Sequence, residues 1–196
     1  MTAYEIEPDL EFWLPVPREF PGDGFQTPEE WAEDLSQCAI PDDADLRETY
    51  RQLAVDVAVN QFEESSHTFW YSPEDGHALG TAHLAIFEDD SESSLEEIAR
   101  PEYESVTPLH LESFKSRVFG ELVQSASTIA SEEIAVDQIQ AAAAIGHIRT
   151  VGRSHGMIFV LEAYDADLTT LGFMMEPMVE FFESVSFAED FEGEEP

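Results

Sequence analysis

His147, Arg149, Arg153 and His155 fall within one nine-residue stretch, around Gly152-Arg153-Ser154-His155-Gly156. Imidazole and guanidinium groups on and beside a turn can donate hydrogen bonds to an oxyanion or to an acidic surface. The four residues therefore mark a possible anion or partner contact, with turn and strand-surface decoration as the plain alternative. Ser154 beside His155 suggests a nucleophile pair. Neighbours in a strand or turn rarely face each other, however, and no nucleophile elbow or oxyanion glycine pattern surrounds them.

Other candidates resolve into ordinary structure. His77 and His83 are six apart, on one face of an extended strand, but no third ligand stands at a known metal spacing. They read as strand-surface or satisfied core histidines. Asp165 and Asp167, like Glu88-Asp89-Asp90, lack the glycine and distal Glu of a calcium loop. Asp167 is better placed to cap a helical turn, and 88–90 to solvate a loop. Cys38 has no cysteine to pair with and no histidine nearby in sequence, which favours a buried structural thiol. No glycine loop is built to cradle phosphate. The sequence thus points to no catalytic residue, no metal set and no cofactor.

The elements that would position these residues follow from periodicity and punctuation. Glu11–Pro17 reads as a strand held to an edge by Pro15 and Pro17. Thr27 followed by Pro28, Glu29 and Glu30 starts a helix running to about Cys38. Asp42 or Asp43 opens a longer one with Leu46, Tyr50, Leu53, Val57 and Phe62 on an inward stripe. Thr68–Tyr71 and Ala78–Phe87 form a hairpin around Ser72–Gly76. A loop over 88–104 holds one helical turn at Leu95–Ala99. Thr107-Pro108 starts a helix with Leu111, Phe114, Val118 and Leu122 inward, carrying the cations Lys115 and Arg117. Ser127–Val136, Ala141–Val151 and Met157–Tyr164 are three consecutive strands, the last two joined by the 152–156 turn. A helix over about Glu176–Ser184 and the short Val185–Phe187 close the fold. Its Met and Phe stripe (Met174, Met175, Met178, Phe181, Phe182) belongs to the core or to a contact surface. The predicted class is α+β: an antiparallel sheet with flanking helices and a C-terminal helix packed on it. Residues 1–187 read as one globular domain and 188–196 as an acidic disordered tail.

The order of elements resembles the Mog1/PsbP-like α/β sandwich family. The residues that carry the likeness are Ala141–Val151, Met157–Tyr164, the stretch MEPMVEFFESVSF (Met175–Phe187) and the opening WLPVP (Trp13–Pro17), which is similar to the apolar LPxP strand of bacterial members. The resemblance implies a non-enzymatic binding or assembly module. It transfers no functional residue, because the basic patches that some members use have no counterpart here.

Charge bounds the partners. Forty-three acidic residues face eight Lys and Arg, a formal charge of −35, and Lys115 is the only lysine. Nucleic acid, anionic membranes and phosphate-rich ligands all require clustered cations, so none is expected as a partner. Composition is otherwise globular, with 43% hydrophobic residues and 14 Phe. A chain of this size presents roughly 9,000 Å² of folded surface. That is about 270 Å² per excess charge, or a spacing of about 16 Å, twice the Debye length of ~8 Å at physiological ionic strength. The opening residues lack the features of a signal peptide and no apolar run could span a bilayer, so a cytoplasmic protein is expected. The functional expectation is a non-enzymatic protein-binding module. Its alternatives are a secretion-chaperone-like or masking protein for a basic client, and a hydrolase whose carboxylates assemble only in three dimensions.

Overall fold

The computed structural model of the chain is α+β. It describes residues 3–74, 77, 79–89, 92–130, 134–136, 139–141 and 144–188. All but the first residue of the expected 188–196 tail lies outside them. Contacts divide the chain into two compact units, Asp9–Ala85 and the combination of Met1–Pro8 with Ile86–Pro196.

After a short first strand, β1 (Tyr4–Ile6), the 9–85 unit runs β2 (Trp13–Val16), α1 (Pro28–Ala39), α2 (Ala44–Val59), β3 (His67–Tyr71) and β4 (Gly80–Glu88), whose end belongs to the other unit. β2, β3 and β4 form an antiparallel meander, with Pro15 opposite Phe69 and Trp70 opposite Thr81. β2 is an edge strand, where a proline sacrifices no ladder bond. Both helices start where their caps predict. Thr27 Oγ1 accepts from Glu30 N at 3.2 Å, and Asp43 Oδ1 accepts from Asp45 N and Leu46 N at 3.1 and 3.0 Å.

The face that α2 buries is not the expected one. Tyr50, Ala54 and Ala58 are buried, whereas Leu46, Leu53 and Phe62 are exposed. The reason is volume. Trp31, Trp70 and Val16 already fill the space between helix and strands, and small alanines fit against them where leucines would not. Tyr50 stacks on Trp70 with ring centroids 4.7 Å apart, and its hydroxyl pairs with Ser72 Oγ at 3.2 Å.

The larger unit holds α3 (Leu95–Ala99), β5 (His110–Ser116), β6 (Gly120–Ala130), β7 (Ile134–Val136), β8 (Ile139–Ala141), β9 (Ala144–Ser154), β10 (Met157–Asp165), α4 (Leu168–Glu180), a 3-10 turn (Phe181–Ser184) and β11 (Val185–Phe187). Its antiparallel strands lie in the order β10-β9-β6-β5, and β7 pairs with β8 beyond the β6–β9 ladder. α4 packs on β9 and β10, and α3 packs on β6 and β9. β1 pairs with β11, Tyr4 opposite Phe187.

Two expectations are corrected here. The helix predicted from Thr107 is the β5–β6 hairpin, so Lys115 lies on a strand opposite Glu121 and Phe114 faces Leu122. Gly120, at φ 75°, turns the chain back. β6 is covered on both faces, since Leu122 through Ser125 are all buried, and the alternation that betrays a half-buried strand is lost. The C-terminal helix starts at Leu168 rather than Glu176 and continues through Pro177, tightening to 3-10 only at Phe181. Its Leu171, Met174 and Met178 are buried, as are Phe181 and Phe182, so the Met/Phe stripe is core except at half-buried Met175. Phe119, Phe159, Phe182 and Phe187 pack edge-on, with centroids 5.2 to 6.0 Å apart. Gly152 makes room for this cluster, because a Cβ there would lie 2.8 Å from the Phe119 ring and 2.7 Å from Leu122.

Candidate functional site

The position of every candidate residue on β9 follows from its turn. That turn is two residues long, His155-Gly156, both with positive φ (51° and 73°), the backbone that matches the twist of paired strands. Gly152, Arg153 and Ser154 are therefore strand, not loop. With Ser154 opposite Met157, the ladder sets Arg149 opposite Glu162 and His147 opposite Tyr164. Pleating sends alternate side chains to opposite faces. Gly146 and Ile148 look toward α4, while His147 and Arg149 look toward the end of α3.

On the α3 side, three donors converge on one oxygen. Glu162 Oε1 accepts from Arg149 Nε at 2.6 Å and from the Tyr164 hydroxyl at 3.2 Å, and His147 Nε2 lies 3.0 Å away. The His147 ring stacks on Tyr164, centroids 4.4 Å apart and 11° from parallel. Arg149 Nη1 also donates to the carbonyls of Ile98 and Arg100, at 3.0 and 3.1 Å, tying the C-terminal end of α3 to the sheet. Burial pushes the Glu162 carboxyl up, but the His147 hydrogen bond and the charge and hydrogen bond of Arg149 outweigh it and hold the pKa at about 2. Burial, then the Glu162 charge, pushes the Tyr164 phenol well above its ordinary range.

The four residues singled out by sequence do not form one cluster. His147 and Arg149 meet at Glu162. Arg153 instead sits with its Nε 2.8 Å from Asp89 Oδ2, too poorly aligned for a hydrogen bond, and its Nη2 donates to Ser93 O at 2.7 Å. His155 lies on the turn, stacked on Phe187 at 4.1 Å, with Nδ1 2.9 Å from Ser154 Oγ. Glu162 and Tyr164 are partners that sequence reasoning did not single out, and Asp89, expected to solvate a loop, is instead drawn in beside Arg153. The signal for Glu162 and Tyr164 was the β9–β10 ladder register, which a two-residue turn fixes.

What this arrangement can do chemically is limited by access. His147 is 1% exposed, and its Nδ1, like the buried Ser127 Oγ opposite it, has no hydrogen-bond partner among the described residues. Neither atom is exposed to solvent, and the cluster clamps β9, β10 and α3 together, although both residues also border the groove under α4. Elsewhere, His83 is buried beside Thr68 Oγ1 at 3.3 Å and stacks on Phe62, a satisfied core histidine. Cys38 is exposed, contrary to the expected buried thiol, because α1 turns Trp31, Ala32 and Ser36 inward and leaves 38 on the other face. Asp167 does cap a helix, accepting from Thr169 N at 2.9 Å. Among the described residues no three His, Cys, Asp or Glu side chains are grouped to hold a metal.

On the other face of the sheet a groove of about 210 Å³ opens beneath the first turns of α4. Leu168, Leu171, Gly172 and Met175 form one wall, and Ala126 and Ile148 the floor, with Thr107, Ser127, Thr128 and His147 as its polar members. Thr107 Oγ1 accepts from Thr128 N at 3.1 Å, which leaves its hydroxyl proton to donate.

No family model matches the chain, and no curated protein matches it as a relative. Among the described residues no helix is long and apolar enough to cross a membrane.

Proposed function

We propose that the protein is a cytoplasmic, non-enzymatic binding module whose client is a basic protein. One observation carries this reading: six of the eight cations are engaged by the protein's own acceptors. Arg18 donates to the carbonyls of Phe62 and Glu63, and Arg47 to those of Ile40 and Pro41. Arg51 pairs with Glu48 at 2.7 Å, Arg117 with Glu183 at 2.9 Å, Arg149 with Glu162 and Arg153 with Asp89. Cations spent on structure leave an acidic surface with little to offset it. Such a surface speeds encounter with a cationic protein and disfavours acidic competitors. The closed state of the His147–Glu162–Arg149 cluster argues against a substrate site there. The resemblance to Mog1/PsbP-like proteins points to binding as well.

Affinity capture at a series of salt concentrations tests the proposal. Basic proteins should dominate the bound fraction at about 0.1 M salt and be released by about 0.5 M, as screening shortens the Debye length. Capture that shows no bias toward basic proteins, or that survives high salt unchanged, would overturn it.

A further inference from the structure

Gly172 is the unexplained residue of the groove beneath α4. It lies inside the helix, yet a Cβ added there would meet nothing within 4 Å. Packing does not require glycine at this position, and glycine weakens a helix relative to alanine. What its missing side chain does is keep one wall of the groove low. The same wall is adaptable, since Met175 is half-buried and its unbranched thioether side chain can reshape around a guest. Leu168 stands at 55% exposure beside them, an apolar side chain that packs on Gly146 and is otherwise largely open.

We propose that this groove seats one apolar side chain of the basic client, an inference that rests on the proposed function above. Size fits: a cavity of about 150 Å³ accommodates a benzene ring, so this groove has room for one aromatic or branched aliphatic group. Charge selects what surrounds that group. Asp165, Asp167 and Glu176 lie on or beside α4, and none enters an ion pair among the described residues. No Lys or Arg lines the groove. A second copy of this chain would bring another 35 negative charges to the same place, which disfavours self-association there. An apolar anchor flanked by Lys or Arg satisfies both the lining and its acidic surroundings.

Two Arg-rich peptides that differ only in a central Phe or Ala separate the readings, with affinities measured by fluorescence anisotropy at about 0.1 M salt. The Phe peptide should bind roughly tenfold more tightly, the expected gain from burying one such side chain. It should also shift the methyl NMR signals of Ala126, Ile148, Leu168, Leu171 and Met175. Gly172→Leu should remove that gain while leaving the affinity for the Ala peptide unchanged. Gly172→Ala, with a smaller intrusion, should reduce it in part. Melting curves establish that both variants remain folded. If neither peptide binds in a salt-dependent way, the basic-client reading itself fails. If both bind equally, if Gly172→Leu keeps the gain, or if the groove methyls respond to free indole but not to the Phe peptide, the anchor-groove inference is overturned alone.

Discussion

Glu162 is one carboxylate among 43, yet it decides whether Arg149 and His147 sit in the protein at a cost or a gain. Its side chain is 18% exposed and that of Arg149 is 15%, so the pair is shielded from the screening that cancels most surface ion pairs. Removing one partner of a shielded pair strands the other charge, a loss of about 3 kcal/mol or more. Glu162→Gln should therefore lower unfolding free energy by that order in urea titrations at pH 7. The pH dependence has a definite sign. The folded carboxyl is held at about 2, below the ordinary ~4.3 of a glutamate. Its stabilising contribution is complete above about pH 5 and is lost as pH falls through the folded value. The gap between wild type and Glu162→Gln should thus be constant above pH 5 and close toward pH 2; a gap that widens on acidification would contradict the assignment. Composition hides Glu162, because an acid surrounded by acids carries no signal of its own. The strand ladder reveals it. Reading 152–156 as a five-residue loop places Phe159 opposite Arg149, whereas the observed two-residue turn places Glu162 there, and a register error moves every partner.

At the scale of elements, local chemistry was legible and long-range pairing was not. Thr27 and Asp43 each mark a helix start because a capping side chain acts on the next three residues, within reach of sequence reading. Asp43→Ala should cost about 1 kcal/mol by chemical denaturation. Asp43→Asn keeps an accepting oxygen and removes one negative charge, so it should match or exceed the wild type. An Asn variant as weak as the Ala variant would mean that charge at the helix terminus, not the cap bond, matters. The misread elements share a different cause. Leu111, Phe114, Val118 and Leu122 fit a helical period by coincidence, and β6, covered on both sides, offers no alternation to contradict it. α4 begins eight residues before the expected start near 176, because Leu171, Met174 and Met178 bury a continuous face that carries the helix through Pro177. The β1–β11 pair joins three-residue strands from opposite ends of the chain, and no local pattern announces such a contact.

For the molecule as a whole, the question is how −35 charges remain compatible with a folded core. Part of the answer is where the cations went. Arg149 and Arg153 hold α3 and the segment before it to β9, and Arg117 ties the β5–β6 turn to Glu183. Attraction is concentrated at joints, and among the described residues no Asp or Glu is fully buried. The rest is distance. Excess charges about 16 Å apart are screened when the Debye length is ~8 Å, at physiological ionic strength, and unscreened when it is ~30 Å, near 0.01 M. Melting temperature should accordingly change little between about 0.15 M and 0.5 M NaCl and fall as salt drops to about 0.01 M. Adding a few millimolar of a polycation at that low salt should restore it, since polycation binding to the folded surface relieves the same repulsion. A melting temperature indifferent to salt down to 0.01 M would mean that the carboxylates interact less than this spacing implies. One that climbs steadily into molar NaCl would mean that the fold depends on salt beyond screening.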